Sequence, residues 1–78
     1  MGIHNVSNHK LFSDFSTRRK RRAALFSIIS ALEQMSQAEE SYRDNMPPNL
    51  LNSNAYDTVD YYIGLLDEAI DVLRSVYA

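Results

Sequence analysis

The stretch Met46-Pro47-Pro48-Asn49-Leu50-Leu51-Asn52-Ser53-Asn54 decides the fold. Proline lacks a backbone N–H and drives the residue before it out of the α region, so no helix runs through this segment. On either side, apolar residues recur in alternating steps of three and four. Before the prolines they are Leu25, Ile28, Leu32, Met35, Tyr42 and Met46, interrupted by Glu39. After them come Tyr56, Val59, Ile63, Leu66, Ile70, Leu73 and Tyr77. Such spacing aligns each set along one side of an α-helix. The chain therefore reads as all-α, an antiparallel two-helix hairpin.

Local composition sets the expected boundaries. The first helix is expected over about 17–45, a span without Gly or Pro and rich in Arg, Ala, Leu, Glu and Gln. At 1.5 Å per residue it would be roughly 40 Å long. Either Ser13 or Ser16 is placed to cap its start, with Asp14 favourable to the helix dipole. The turn covers 46–54, and Leu50 and Leu51 are expected to tuck beneath it and seal the core. The second helix spans about 55–76, capped by Ser53 or Asn54; Asn54 with Asp57 resembles a capping box. Residues 13–78 thus form the hairpin. Residues 1–12, with Gly2, Asn5, Ser7 and Asn8, read as a flexible polar arm.

The second helix carries more apolar surface than one neighbour can cover. In heptads with Tyr56 at a, every a and d position is apolar. So are Tyr62, Ala69 and Val76 at g, and Leu65 and Val72 at c. The arc spans about half of the helix, whereas a two-helix contact needs only a narrow seam. On the first helix, adjacent Ile28 and Ile29 widen the face in the same way. Seventy-eight residues with no Cys build a thin core unless another subunit adds to it. These features predict a homodimer, with two hairpins completing a four-helix bundle, or a higher even oligomer. The candidate interface comprises Leu25, Ile28, Ile29, Leu32 and Met35 of the first helix and Tyr62, Leu65, Leu66, Ile70 and Leu73 of the second. Gly64, at an outer position, either admits another backbone or is tolerated at a cost of about 1 kcal/mol.

A formal net charge of −2 hides an asymmetry. Up to Arg22 the chain carries Lys10 and Arg18-Arg19-Lys20-Arg21-Arg22 against Asp14 alone. Beyond it, only Arg43 and Arg74 offset all the remaining carboxylates. The five consecutive cations have two readings: contact with phosphates of a polyanion, or solvation and pairing with acidic residues of a neighbouring hairpin. The second is favoured, because no aromatic interleaves the run and no DNA-reading helix pair follows it.

Few groups suggest catalysis. The two histidines, His4 and His9, lie in the polar arm, and neither helix contains one. A carboxylate-bridged metal site of the ferritin kind needs Glu-x-x-His facing the bundle core, and that pattern is missing. No catalytic, cofactor or metal residues are assigned. Glu39, alone among the acids, falls on an apolar stripe, either to set register with an Arg or to bend towards solvent. No stretch approaches the ~18 apolar residues of a membrane span, and no apolar signal core is expected in the first dozen residues. Absence of Cys suits a reducing, cytoplasmic setting.

The segment from Ala38 to Ser53, Ala-Glu-Glu-Ser-Tyr-Arg-Asp-Asn-Met-Pro-Pro-Asn-Leu-Leu-Asn-Ser, resembles a pattern in small uncharacterised bacterial and phage-borne helical proteins. There an acidic helix ends in Asp-Asn-apolar-Pro-x-Asn-Leu-x-x-Ser, and a second helix rich in Leu-x-Glu-Ala-Ile-Asp-x-Leu follows. Here that element reads Leu65-Leu66-Asp67-Glu68-Ala69-Ile70-Asp71-Val72-Leu73. The resemblance implies a helical hairpin of bacterial or mobile-element origin and carries no activity. Taken together, the expectation is a small homo-oligomeric protein-interaction module. The alternative is a nucleic-acid-associated protein that uses Arg18 to Arg22.

Overall fold

The computed structural model describes residues 15–78. The arm over 1–12, with Leu11, Phe12 and the capping role of Ser13, lies outside the described residues. Within them the chain is a hairpin: helix α1 (Arg18–Asp44), a single 3-10 turn (Pro48–Leu50) and helix α2 (Asn54–Ser75). No strand occurs among the described residues.

Side chains set each boundary. Thr17 caps α1, its hydroxyl accepting from the Lys20 N–H at 3.1 Å. It does so in place of Ser16, because Thr17 holds the extended conformation that a cap requires. At the far end the Asn45 N–H closes on the Ser41 carbonyl, and Pro47 prevents any further helical turn. Ser53 caps α2 by accepting from the Tyr56 N–H, while its hydroxyl donates to the Leu50 carbonyl. One side chain thereby clips the 3-10 turn to the helix that follows. The expected Asn54–Asp57 box is not formed: with Ser53 at the cap, Tyr56 occupies the third helical position.

The α2 seam follows the sequence pattern. Val59, Ile63 and Ile70 are buried, and Tyr56, Leu66 and Leu73 are half-buried. The α1 seam is rotated from the expected one. Ile29 and Ser36 are buried between the helices, with Leu25, Leu32 and Arg43 half-buried beside them, while Ile28, Met35 and Tyr42 face outward. The rotation has a polar cause. It lets the Ser36 hydroxyl donate to Asp67 Oδ1 at 2.7 Å and Arg43 Nη1 donate to Asp60 Oδ1 at 2.7 Å. It also brings Arg74 onto Glu33. A seam through Ile28 and Met35 would turn these polar partners away from α2.

The turn end closes differently from expectation as well. Leu50 and Leu51 are exposed, as are Asn49 and Asn52. Met46 fills the space beneath the turn, packed with Val59 and Ile63 and flanked by Tyr56. The 3-10 turn lifts the two leucines off the core, because Leu50 and Leu51 bond back to Pro47 and Pro48 at the outer edge of the loop.

Candidate interaction surface

The two helices lie side by side, so the hairpin has two broad sides of different chemistry. One carries the polar links: Glu33 with Arg74, Ser36 with Asp67, and Arg43 with Asp60. Gln37, Glu40 and Asp71 line the same groove. Asp60, and after it Asp44, push the Arg43 guanidinium further above its ordinary range through direct hydrogen bonds. These links tie the helices at three levels along their length.

The opposite side is apolar. Near its middle, Met35 and Glu39 of α1 and Tyr62, Leu65 and Leu66 of α2 line a shallow apolar hollow of about 360 Å³. Towards the open end a second hollow, about 410 Å³, lies among Phe15, Ala24, Leu25, Ile28, Leu73 and Val76. Met35 is 53% exposed, Tyr62 51%, Leu65 44% and Val76 43%. Side chains of this size leave roughly half their area in water along one continuous face. Contiguous exposed apolar groups of this kind are candidates for a contact surface.

Of the ten residues expected at an oligomer interface, four lie open on this side: Ile28, Met35, Tyr62 and Leu65. Ile29 and Ile70 are consumed by the hairpin's own core, and Leu25, Leu32, Leu66 and Leu73 are half-buried between the helices. Sequence reading merged two adjacent stripes of α1. One, through Leu25, Ile29, Leu32 and Ser36, faces α2. The other, through Ala24, Ile28, Ala31, Met35, Ala38 and Tyr42, faces out. The alanines at seven-residue spacing were the overlooked signal of that second stripe. Glu39 is half-buried at the edge of the apolar hollow and makes no ion pair among the described residues.

The cations Arg18, Arg19, Lys20, Arg21 and Arg22 are all exposed and wrap the whole circumference of the first turn and a half of α1. They do not form one flat basic face. Arg21 turns back to donate to the Phe15 carbonyl at 2.6 Å, and the Arg22 guanidinium lies over the Tyr77 ring, 5.8 Å from its centroid. The C-terminus of α2 meets them at this open end, so its negative dipole offsets cations that α1's own dipole disfavours. Asp67 and Asp71 stand on the polar side, further along the hairpin.

No three His, Cys, Asp or Glu side chains among the described residues are grouped to hold a metal ion. No described helix is long and apolar enough to cross a membrane. No family model, characterised protein or solved structure matches this chain.

Proposed function

We propose that this chain is a homodimeric protein-interaction module, in which two hairpins close through their apolar sides into a four-helix bundle. The observation that carries the reading is the segregation of the surface. Met35, Tyr62, Leu65 and Val76 stand open on one side with Glu39 at its edge, and the three polar links occupy the other, where Phe26 is also exposed beside Arg74. Met35, Tyr62 and Leu65 line one apolar hollow together, and it is their grouping rather than their exposure alone that favours a partner there. Closing the bundle leaves both polar sides outward, where a macromolecular partner would meet them. The role is binding rather than catalysis, and the absence of Cys suits a cytoplasmic setting.

The reading is tested by comparing the native chain with Met35→Glu and Leu65→Glu in sedimentation equilibrium. The native chain is expected at twice the 8.9 kDa chain mass. Each carboxylate, buried without a partner, is expected to return the protein to monomer. Unchanged mass in both variants would refute closure through this side.

A further inference from the structure

We infer that the open end of the hairpin docks on an anionic lipid surface. The cationic first turn of α1 meets the headgroups, and Phe15, Phe26 and Tyr77 enter the interface beside it. This concerns one hairpin and does not rest on the dimer proposed above. The contact is peripheral, since no described helix is long and apolar enough to cross a bilayer.

Along the sequence no aromatic interleaves Arg18 to Arg22, but the fold brings three to them. Arg21 donates to the Phe15 carbonyl, and the Arg22 guanidinium lies over the Tyr77 ring. Phe26 shares a hollow of about 220 Å³ with Arg22, Val76 and Tyr77. Phe15 shares the hollow of about 410 Å³ with Arg21, Val76 and Tyr77. Tyr77 lines both hollows and so stands between the two phenylalanines. Phe26 is 65% exposed, and Phe15, Val76 and Tyr77 are exposed with it. Helical side chains lean towards the helix N-terminus, so the Phe26 ring leans towards the open end. A bilayer interface accepts both kinds of group, rings at headgroup level and cations on lipid phosphates. Peripheral binding strengthens with buried apolar area and with attraction to anionic lipid together.

The placement of charge favours a plane over a nucleic acid. Arg18 to Arg22 occupy only about 6 Å of helix height at 1.5 Å per residue, and they point in every direction around α1. A single strand is held by cations that track its backbone along a groove, with bases stacked on a platform. A collar of cations around one helix offers no such track, but a plane met end-on touches all of it. The turn end holds Glu39, Glu40, Asp44, Asp57 and Asp60 against Arg43. Charge therefore changes sign along the hairpin, and an anionic plane attracts the open end while repelling the turn end. Cytoplasmic leaflets carry such a negative surface.

Flotation of the full chain with vesicles of equal parts phosphatidylglycerol and phosphatidylcholine tests the inference. At low salt the chain is expected to float with these vesicles and to stay behind with phosphatidylcholine alone. Arg18→Gln with Arg19→Gln is expected to lower the partition coefficient about 25-fold, at about fivefold per cation near the surface. Phe26→Ser is expected to lower it severalfold with far-UV circular dichroism unchanged, because Phe26 is exposed. The chain has no Trp, so single Trp substitutions report the orientation. With the anionic vesicles, emission from Phe26→Trp is expected to shift to the blue. Emission from Tyr61→Trp, exposed towards the turn end, is expected to stay where it was. A native chain that does not float, or floats equally well with phosphatidylcholine alone, would overturn the inference. So would flotation that Phe26→Ser leaves unchanged, or equal shifts from both Trp positions. Binding of oligouridylate without binding of vesicles would assign the cations to nucleic acid instead.

Discussion

Ser36 carries more of the hairpin's geometry than its size suggests. It is buried where helix periodicity favours an apolar residue, and its hydroxyl donates to the Asp67 carboxylate. A bond to a charged acceptor is worth about 1.5–3 kcal/mol, but Asp67 is exposed and regains water when the bond is lost. Ser36→Ala is therefore expected to cost only about 1 kcal/mol, read as a lower urea midpoint. Ser36→Leu is expected to cost about 1–3 kcal/mol by overpacking a seam built for a small residue. At the other end of the core, Met46 stands where Leu50 and Leu51 were expected. Met46→Ala should lower stability by about 2–5 kcal/mol. The exposed Leu50 and Leu51, changed to Ala, should each move the midpoint far less. Equal effects at all three positions would contradict the packing beneath the turn.

At the scale of the element, α2 was legible and α1 only in part. The α2 stripe from Tyr56 to Leu73 has charged residues on one flank and apolar residues on the other, so a single phase fits it. On α1 the apolar residues form two neighbouring stripes, and periodicity alone cannot say which one α2 takes. That choice belongs to Ser36, Arg43 and Glu33, whose partners Asp67, Asp60 and Arg74 lie in the other helix. A pairing between distant residues leaves no mark on local spacing. Gly64 is simpler: a Cβ built there meets nothing within 4 Å. Gly64→Ala is expected to raise stability by about 0.5–1 kcal/mol, measured as a higher melting temperature. No gain would show that another backbone approaches that position. The basic turn of α1 offers a test of its own. Replacing Arg18, Arg19 and Lys20 with Gln tests whether they pair with carboxylates of a second copy: if they do, association weakens at low salt and hardly changes in 1 M salt, where the Debye length is about 3 Å. If instead the native chain binds duplex DNA with a steep salt dependence, and the triple change flattens it, the cations serve phosphates rather than a second copy.

For the whole molecule, the decisive feature is that a two-helix hairpin has one core seam and this chain has apolar side chains for two. Hairpin architecture and its turn could be read from the prolines and the two apolar stripes, and the breadth of the α2 arc is what supports the proposed neighbour. The division of the ten interface residues into a spent set and an open set could not, because it depends on the rotation of α1. Ile63→Asp and Met35→Glu separate the two seams. The first is expected to abolish helicity by placing a carboxylate in the hairpin's own core. The second is expected to halve the mass first and to lower stability only through lost association. The most direct test of the account is the mass of the unmodified chain by sedimentation equilibrium, over a concentration series from low to high micromolar. The account predicts a monomer–dimer equilibrium reaching twice 8.9 kDa, with a melting temperature that rises with concentration. A single species at 8.9 kDa throughout, melting cooperatively at a temperature independent of concentration, would contradict it.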